Sequence, residues 1–246
     1  KARECARATS ASGVMPREAT ASSSPAMKKM KERLSGLETE SGRLKGLAMK
    51  PRKDDVFIVT TPKAGTTWLQ QIVHGLRSGG SMDFEEISNV VPFVEMAHDV
   101  GIDVDAEQAW SPRCFKTHAW RPHCPSPGRY VVVVREPRDV VLSFYKFFEG
   151  WFFEPGEVGL EEFAREFVLA RGEPRDRMTN ASLWHHLASW YPHRNDTNVL
   201  LMFYEDLIED LPREVRRVAD FLELAAGDEA LRDKVAAQAT FDFMSE

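Results

Sequence analysis

The sequence predicts an α/β fold in which a central, mainly parallel sheet is flanked by helices and a phosphate-binding turn follows the first strand. Residues 56–60 (VFIVT) and 130–134 (YVVVV) are short β-branched runs, apolar almost throughout, as strands covered on both faces are. Between and after them, apolar residues recur at helical spacing, as at Trp68, Leu69, Ile72, Val73 and Leu76. Strands that alternate with helices belong in a parallel sheet.

Residues 1–53 hold only five Leu, Ile, Val or Phe, and 13 Lys and Arg against 5 Asp and Glu. So little apolar surface does not offset the entropy of ordering. The segment therefore reads as a disordered basic tail, unstructured over 1–26 and at most marginally helical around 28–37. Residues 54–246 read as one folded domain with 19 basic against 33 acidic residues. That acidic body excludes nucleic acid as a main partner, and any anionic ligand must be held by a few well-placed cations.

The folded part begins with a strand at 56–60, a turn at 61–65 and a helix from Thr66. A strand at 113–116 and another at 130–134 follow, then a helix from Pro137 to about 148, with proline near the helix start where it is tolerated. Helical patterns recur near 160–170 and 180–190. A strand at 199–203 and helices near 212–223 and 228–238 complete the order. No apolar stretch reaches the roughly 18 residues of a transmembrane segment, and none serves as a secretory signal. The expected location is cytoplasmic, with organelle targeting by the Arg- and Ser-rich tail left open. Cys5, Cys114 and Cys124 form no CxxC pair, which favours reduced thiols over a disulfide scaffold or a zinc site.

The first chemistry lies in the turn. A helix N-terminus offers unpaired N–H groups and a partial positive charge, a seat for phosphate. Gly65 lets the backbone approach closely, Thr66 and Thr67 add hydroxyls, and Lys63 adds a mobile cation. The turn is P-loop-like without being the GxxxxGK[ST] loop, because it has one glycine and the lysine precedes it. Arg135 leaves the carboxyl end of the 130–134 run, where ligands of open α/β sheets collect. Ser143 follows about two helical turns later. The pair reads either as a second phosphate clamp or as a surface helix with a small packing residue. Lys116-Thr117-His118 stands just after the second strand. Histidine is the usual side chain for removing a proton near neutrality, although a lone histidine is more often structural. The other six histidines, at 74, 98, 123, 185, 186 and 193, show no metal spacing, and His185-His186 reads as helix surface.

Taken together, these segments resemble the cytosolic sulfotransferase family. Residues 60–68 (TTPKAGTTW) resemble its TYPKSGTTW signature, and 116–118 resemble the KTH segment that carries its catalytic histidine. Residues 135–145 (REPRDVVLSFY) are similar to its R-N-x-x-D-x-x-x-S-x-Y segment, 203–206 to its FYED, and 240–244 (TFDFM) to its S-F-x-x-M. The resemblance implies in-line transfer of a sulfuryl group from 3′-phosphoadenosine 5′-phosphosulfate (PAPS), a co-substrate, to a hydroxyl or amine of a small acceptor, with no metal. It further implies that Lys63 binds the 5′-phosphate and the leaving oxygen while Ala64, Gly65, Thr66 and Thr67 cradle that phosphate. Arg135 and Ser143 would grip the 3′-phosphate. Trp68 and Phe241 would sandwich the adenine, with Tyr204, Thr240 and Met244 beside it. Lys116 would contact the transferring group, and His118 would deprotonate the acceptor.

Two departures qualify the resemblance. Ala64 stands where the signature has serine. The chain begins at Lys1 and stops at Glu246, short of the family's R-K-G-x-x-G loop, so a fragment is expected. The missing contacts to the 3′-phosphate are worth roughly 1.5–3 kcal/mol each. Phe84, Phe93, Trp110, Trp120, Phe144, Phe147, Phe148, Trp151, Phe152 and Phe153 are candidates for an apolar pocket taking a phenol, alcohol or sterol, and each is equally a core candidate. A homodimer is left open. The competing readings are an inactive truncated paralogue or binding protein of the same fold, and a P-loop small-molecule kinase, which the absent Walker pattern disfavours. A Golgi carbohydrate sulfotransferase is disfavoured by the KTH segment and the lack of a membrane anchor in this sequence.

Overall fold

The computed structural model describes residues 23–245. The disorder expected over 1–22 and Cys5 therefore lie outside the described residues. From there the expected tail is corrected, because α1 (Pro25–Ser35) and α2 (Glu40–Leu47) both pack on the domain. The count of Leu, Ile, Val and Phe left out methionine, and Met27 and Met30 are the side chains that α1 buries completely. On α2, Arg43 is buried against Glu38 and Asn180. A side chain at Gly46 would collide with the Val94 carbonyl, so the glycine lets this helix lie directly on the backbone.

The strands are β1 (Val56–Thr60), β2 (Cys114–Thr117), β3 (Arg129–Val134) and β4 (Val199–Phe203). All pairs are parallel, in the order β2-β1-β3-β4, as the α/β expectation requires. The second strand begins one residue later than expected, at Cys114, because Arg113 is turned into a buried ion pair below the sheet's start. After β1 come α3 (Thr66–Ser78) and α4 (Ile87–Val90). After β3 come α5 (Pro137–Trp151), α6 (Leu160–Phe163), a π-helical turn at Ala164–Val168, and α7 (Leu183–Trp190). The chain continues after β4 through α8 (Tyr204–Glu209), α9 (Leu211–Leu222), α10 (Glu229–Gln238) and α11 (Phe241–Ser245). No helix among the described residues is long and apolar enough to cross a membrane.

Alternation along β1 sends side chains to two different cores. Val56 and Ile58 pack with Leu69, Ile72, Val215, Val218 and Val235 of α3, α9 and α10. Phe57 and Val59 pack on the other face with Phe115, Tyr130 and Trp190. A third cluster joins Met27 and Met30 to Ala64 and to Val140, Phe144, Phe148, Phe163 and Phe167 of α5 and the segment after it. Since β1 lies between β2 and β3, the chain leaves it to one side and later returns to the other. The crevice at the carboxyl ends of β1 and β3 is the place where such sheets bind ligands.

One buried polar group marks a stability prediction. His74 of α3 is fully buried with both ring nitrogens unpartnered, edge-on to Phe84 at 5.2 Å and to Trp110 at 4.9 Å. Burial, with the nearby Arg77 charge, pushes its pKa down to about 4. The unfolded chain takes up this proton near pH 6.5 and the folded chain only near 4, so His74 leaves stability intact above 6.5 and drains it as pH falls toward 4. Histidine 74 replaced by phenylalanine (His74→Phe) should recover about 2 kcal/mol of the stability that is lost between pH 6.5 and 4.5. Urea unfolding at several pH values checks this, and an unchanged pH slope would rule it out. Burial depresses His186 to about 4 as well, so part of the slope should remain.

Candidate active site

β1 ends at Thr60, and the chain turns through Lys63, at φ 67°, and Gly65, at φ 101°, into α3. A left-handed lysine costs roughly 1–2 kcal/mol. The turn is held by the Arg135 guanidinium, which donates to the Lys63 carbonyl at 3.2 Å, and by the Ala64 N–H, which donates to Thr61. A Cβ at position 65 would lie 2.8 Å from the Tyr204 ring, so glycine is needed for space as well as for its φ. No side chain caps the start of α3. Its first-turn N–H groups thus stand beside a cavity of about 840 Å³ lined by Lys63, Gly65, Thr66, Thr67 and Trp68.

Cations and aromatic rings alternate around this cavity. Lys63 Nζ sits 4.2 Å above the Phe147 ring, and burial together with Arg135 lowers its pKa. The Arg135 guanidinium lies 4.0 Å above Tyr204, and its buried Nε has no partner. Tyr204 in turn meets Trp68 edge-on at 5.2 Å, and the Trp68 indole donates to the Ala239 carbonyl at 2.7 Å, tying α3 to the end of α10. Ser143, Phe241 and Met244 also line the cavity.

Lys116 and His118 enter from the end of β2. The segment before β2 runs beside it, with Lys116 N–H donating to Pro92 and Val94 N–H to Lys116. This places Glu95, fully buried, under the motif, where it accepts from Thr117 Oγ1 and from the His118 N–H, both at 2.8 Å. Burial raises the Glu95 pKa and lowers that of Lys116. His118 Nδ1 lies 2.8 Å from the Thr60 carbonyl oxygen. A carbonyl only accepts, so Nδ1 carries the proton and the neutral ring presents its Nε2 lone pair. Burial, reinforced by Lys116, holds the His118 pKa down at about 3, which keeps the imidazole neutral.

The structure brings Lys63, Gly65, Thr66, Thr67, Trp68, Lys116, His118, Arg135, Ser143, Tyr204, Phe241 and Met244 to one cavity. It does not bring Ala64 or Thr240 there. The Ala64 methyl packs into the methionine–phenylalanine cluster and its N–H is spent on Thr61. Thr240 instead caps α11, accepting from the Phe243 N–H and donating to Ala237. Of the candidate aromatic residues, Phe93, Phe144, Phe147, Phe148 and Phe152 reach the cavity. Phe84 and Trp110 enclose His74, and Phe153 is core. His186 is buried rather than on the helix surface. Glu95, Phe167 and Arg171 escaped sequence reasoning: Glu95 and Arg171 lie in stretches with no motif, and the helical spacing near 160–170 does not say what Phe167 faces.

The family description "Sulfotransferase domain" matches residues 53–246. A rabbit (Oryctolagus cuniculus) amine sulfotransferase is 34% identical over 204 residues, covering 78% of this chain. The chain spans 64% of that relative's length. Among solved structures, a mouse sulfotransferase complexed with PAP superposes with a TM-score of 0.64 at 22% identity, over 85% of this chain and 72% of the other. A retinol dehydratase in complex with androsterone and PAP gives 0.63 at 22% identity, over 84% and 71%. These two likenesses establish a shared fold, while the match to residues 53–246 and the rabbit relative together make this chain a member of the sulfotransferase family.

Proposed function

We propose that the chain transfers a sulfuryl group from PAPS to a hydroxyl or amine of a small acceptor, with His118 as general base. The observation that carries this reading is that the Lys63–Thr67 turn and the unprotonated Nε2 edge of His118 share one cavity. Lys63 and the first turn of α3 would hold the 5′-phosphate side of the donor, and Arg135 with Ser143 the 3′-phosphate. The exposed Phe241 and the Trp68–Tyr204 pair would flank the adenine. When bound, PAPS supplies an activated sulfuryl group with a good leaving oxygen. The protein's task is then to orient the acceptor, remove its proton and neutralise charge that grows on the leaving and equatorial oxygens. Lys63 and Lys116 would serve the last of these. PAP, which is adenosine 3′,5′-bisphosphate, is named in both solved neighbours, and this supports PAPS as the donor. The acidic balance of residues 54–246 makes these cations the main attraction for a polyanion.

Calorimetric titration with PAP, and transfer of labelled sulfate from PAPS to a simple phenol, test the reading. Arg135→Ala should weaken PAP about 10–100-fold, the worth of one charge-assisted contact. It should leave adenosine 5′-monophosphate, which lacks the 3′-phosphate, much less affected. Equal losses for both nucleotides would remove Arg135 from the 3′-phosphate. PAP binding without any transfer would point instead to a binding protein of the same fold.

A further inference from the structure

Beyond the turn, the cavity continues along a wall of rings that includes Phe144, Phe147, Phe148 and Phe167. Among the described residues, four cations line the cavity: Lys63, Lys116, Arg135 and Arg171. The carboxylate that lines it among the described residues, Glu38, is already paired with Arg43 at 3.2 Å. Lys63, Lys116 and Arg135 are accounted for by the donor and the transferring group. Arg171 is not.

Arg171 follows the π-helical turn, and its guanidinium stands 4.3 Å from the centroid of Phe167 and 5.8 Å from that of Phe144. Arg171 is half-buried, and the buried arginines of this chain spend their donors on acceptors. Arg77 reaches Gln108 and the carbonyls of Val90 and Pro112. Arg113 reaches Asp55 and several carbonyls. Among the described residues, no carboxylate or carbonyl meets the Arg171 guanidinium, and burial alone lowers its pKa, to about 10. It therefore stays charged at neutral pH, with its five N–H donors unspent in a largely apolar chamber. The guanidinium is half-buried, and none of its nitrogens is sealed from the cavity, so its free donors are open to an anion that enters the chamber. Along the wall, Lys63 stands on Phe147, Phe147 meets Phe148 at 5.9 Å, Phe148 stacks on Phe144 at 5.0 Å, and Arg171 follows. An acceptor lying on these rings offers one end to the reacting groups and the other to Arg171.

We propose that the acceptor is a ring-bearing alcohol or phenol with a carboxylate at the end remote from its reacting hydroxyl, and that Arg171 is the counter-ion of that carboxylate. This rests on the sulfotransferase reading of the same cavity. The test uses para-hydroxyphenyl alkanoates of increasing chain length, with the methyl ester and the terminal amine of each. Binding to the PAP-loaded protein is measured by calorimetry, and transfer from PAPS as kcat/KM. At the best length the acid should exceed its ester by about tenfold or more in both measurements. Arg171→Gln should bring that ratio to about one, Arg171→Lys should keep part of it, and Arg171→Glu should invert the order in favour of the amine, an inversion that misfolding does not produce. A ratio of about one at every length in the unaltered protein would overturn the proposal. So would an Arg171→Gln variant that keeps the ratio and loses PAP affinity, since Arg171 would then serve the donor. If the acids bind through Arg171 but neither acid nor ester is sulfated, the anion site stands and the transfer reading falls.

Discussion

His118→Ala should lower kcat for sulfuryl transfer by about 10²–10⁴-fold, the usual worth of a general base, while PAP affinity stays within about twofold. The two readouts separate because the histidine and the donor seat come from different strands. The turn proposed to hold the phosphate side follows β1, whereas His118 follows β2. They meet at Thr60, where Nδ1–H bonds the carbonyl at 2.8 Å and also lies 3.5 Å from the hydroxyl, which in turn meets Thr66 Oγ1. Losing that bond frees a carbonyl at the end of β1 but leaves Gly65, Thr66, Thr67 and the start of α3 in place. His118→Asn is a useful companion, since its amide fills part of the space without a basic nitrogen, and the same loss is expected. The pH profile adds an independent check. Because burial and Lys116 hold the free His118 at about 3, kcat/KM, which reports the unliganded enzyme, should show no acid limb from this residue above about pH 5. Near-full turnover in His118→Ala would remove it as the base, and a fivefold or larger fall in PAP affinity, on the order of 1 kcal/mol, would make it part of the donor site.

The parts of this fold that were legible in the sequence are those fixed by local chemistry. Parallel strands covered on both faces must be apolar at consecutive positions, so β1 and β3 stand out as VFIVT and YVVVV. The turn is legible because a glycine at positive φ leaves a residue signature, and the Lys-Thr-His and Arg135 segments because polar residues at the carboxyl ends of such strands have few structural duties. What was not legible depends on partners distant in the chain. α1 is held by Met27 and Met30 among phenylalanines more than a hundred residues away, and α2 by the room its glycines leave. Whether Ala64 faced the ligand or the core depended on where α1 and α5 packed. Glu95 is an ordinary glutamate in sequence and becomes the acceptor beneath His118 only because residues 92–94 run beside β2. Its placement also explains why Thr117 of the motif, whose side chain is buried, is more than a spacer: its hydroxyl spans Glu95 and the Ala119 N–H.

At the opposite end of the strands, Arg113→Met should destabilise the protein by about 3–5 kcal/mol, the cost of stranding a buried charge. Asp55 has no exposed surface and Arg113 is 4% exposed. The guanidinium meets both carboxylate oxygens, at 2.9 and 2.6 Å, and donates further to the carbonyls of Val104 and Asp105 at 3.1 Å. It also rests 5.3 Å from the Phe115 ring. One residue thereby joins the start of β1, the start of β2 and the loop between α4 and β2. Methionine keeps much of the apolar stem but satisfies none of these acceptors. At roughly 2–4 °C per kcal/mol for a chain of this size, the thermal midpoint should fall by about 6–20 °C. The double variant Asp55→Ala/Arg113→Met should cost clearly less than the two single losses added together, because the second change removes the charge that the first one strands. Additive losses would mean that the pair is not energetically coupled. The strand ends that carry Lys63 and His118 lie at the other end of the sheet, so below the lowered midpoint kcat per folded molecule should be preserved. If kcat fell in step with stability at temperatures where the variant is fully folded, the register of β1 on β2 would itself be holding Lys63 and His118 in position.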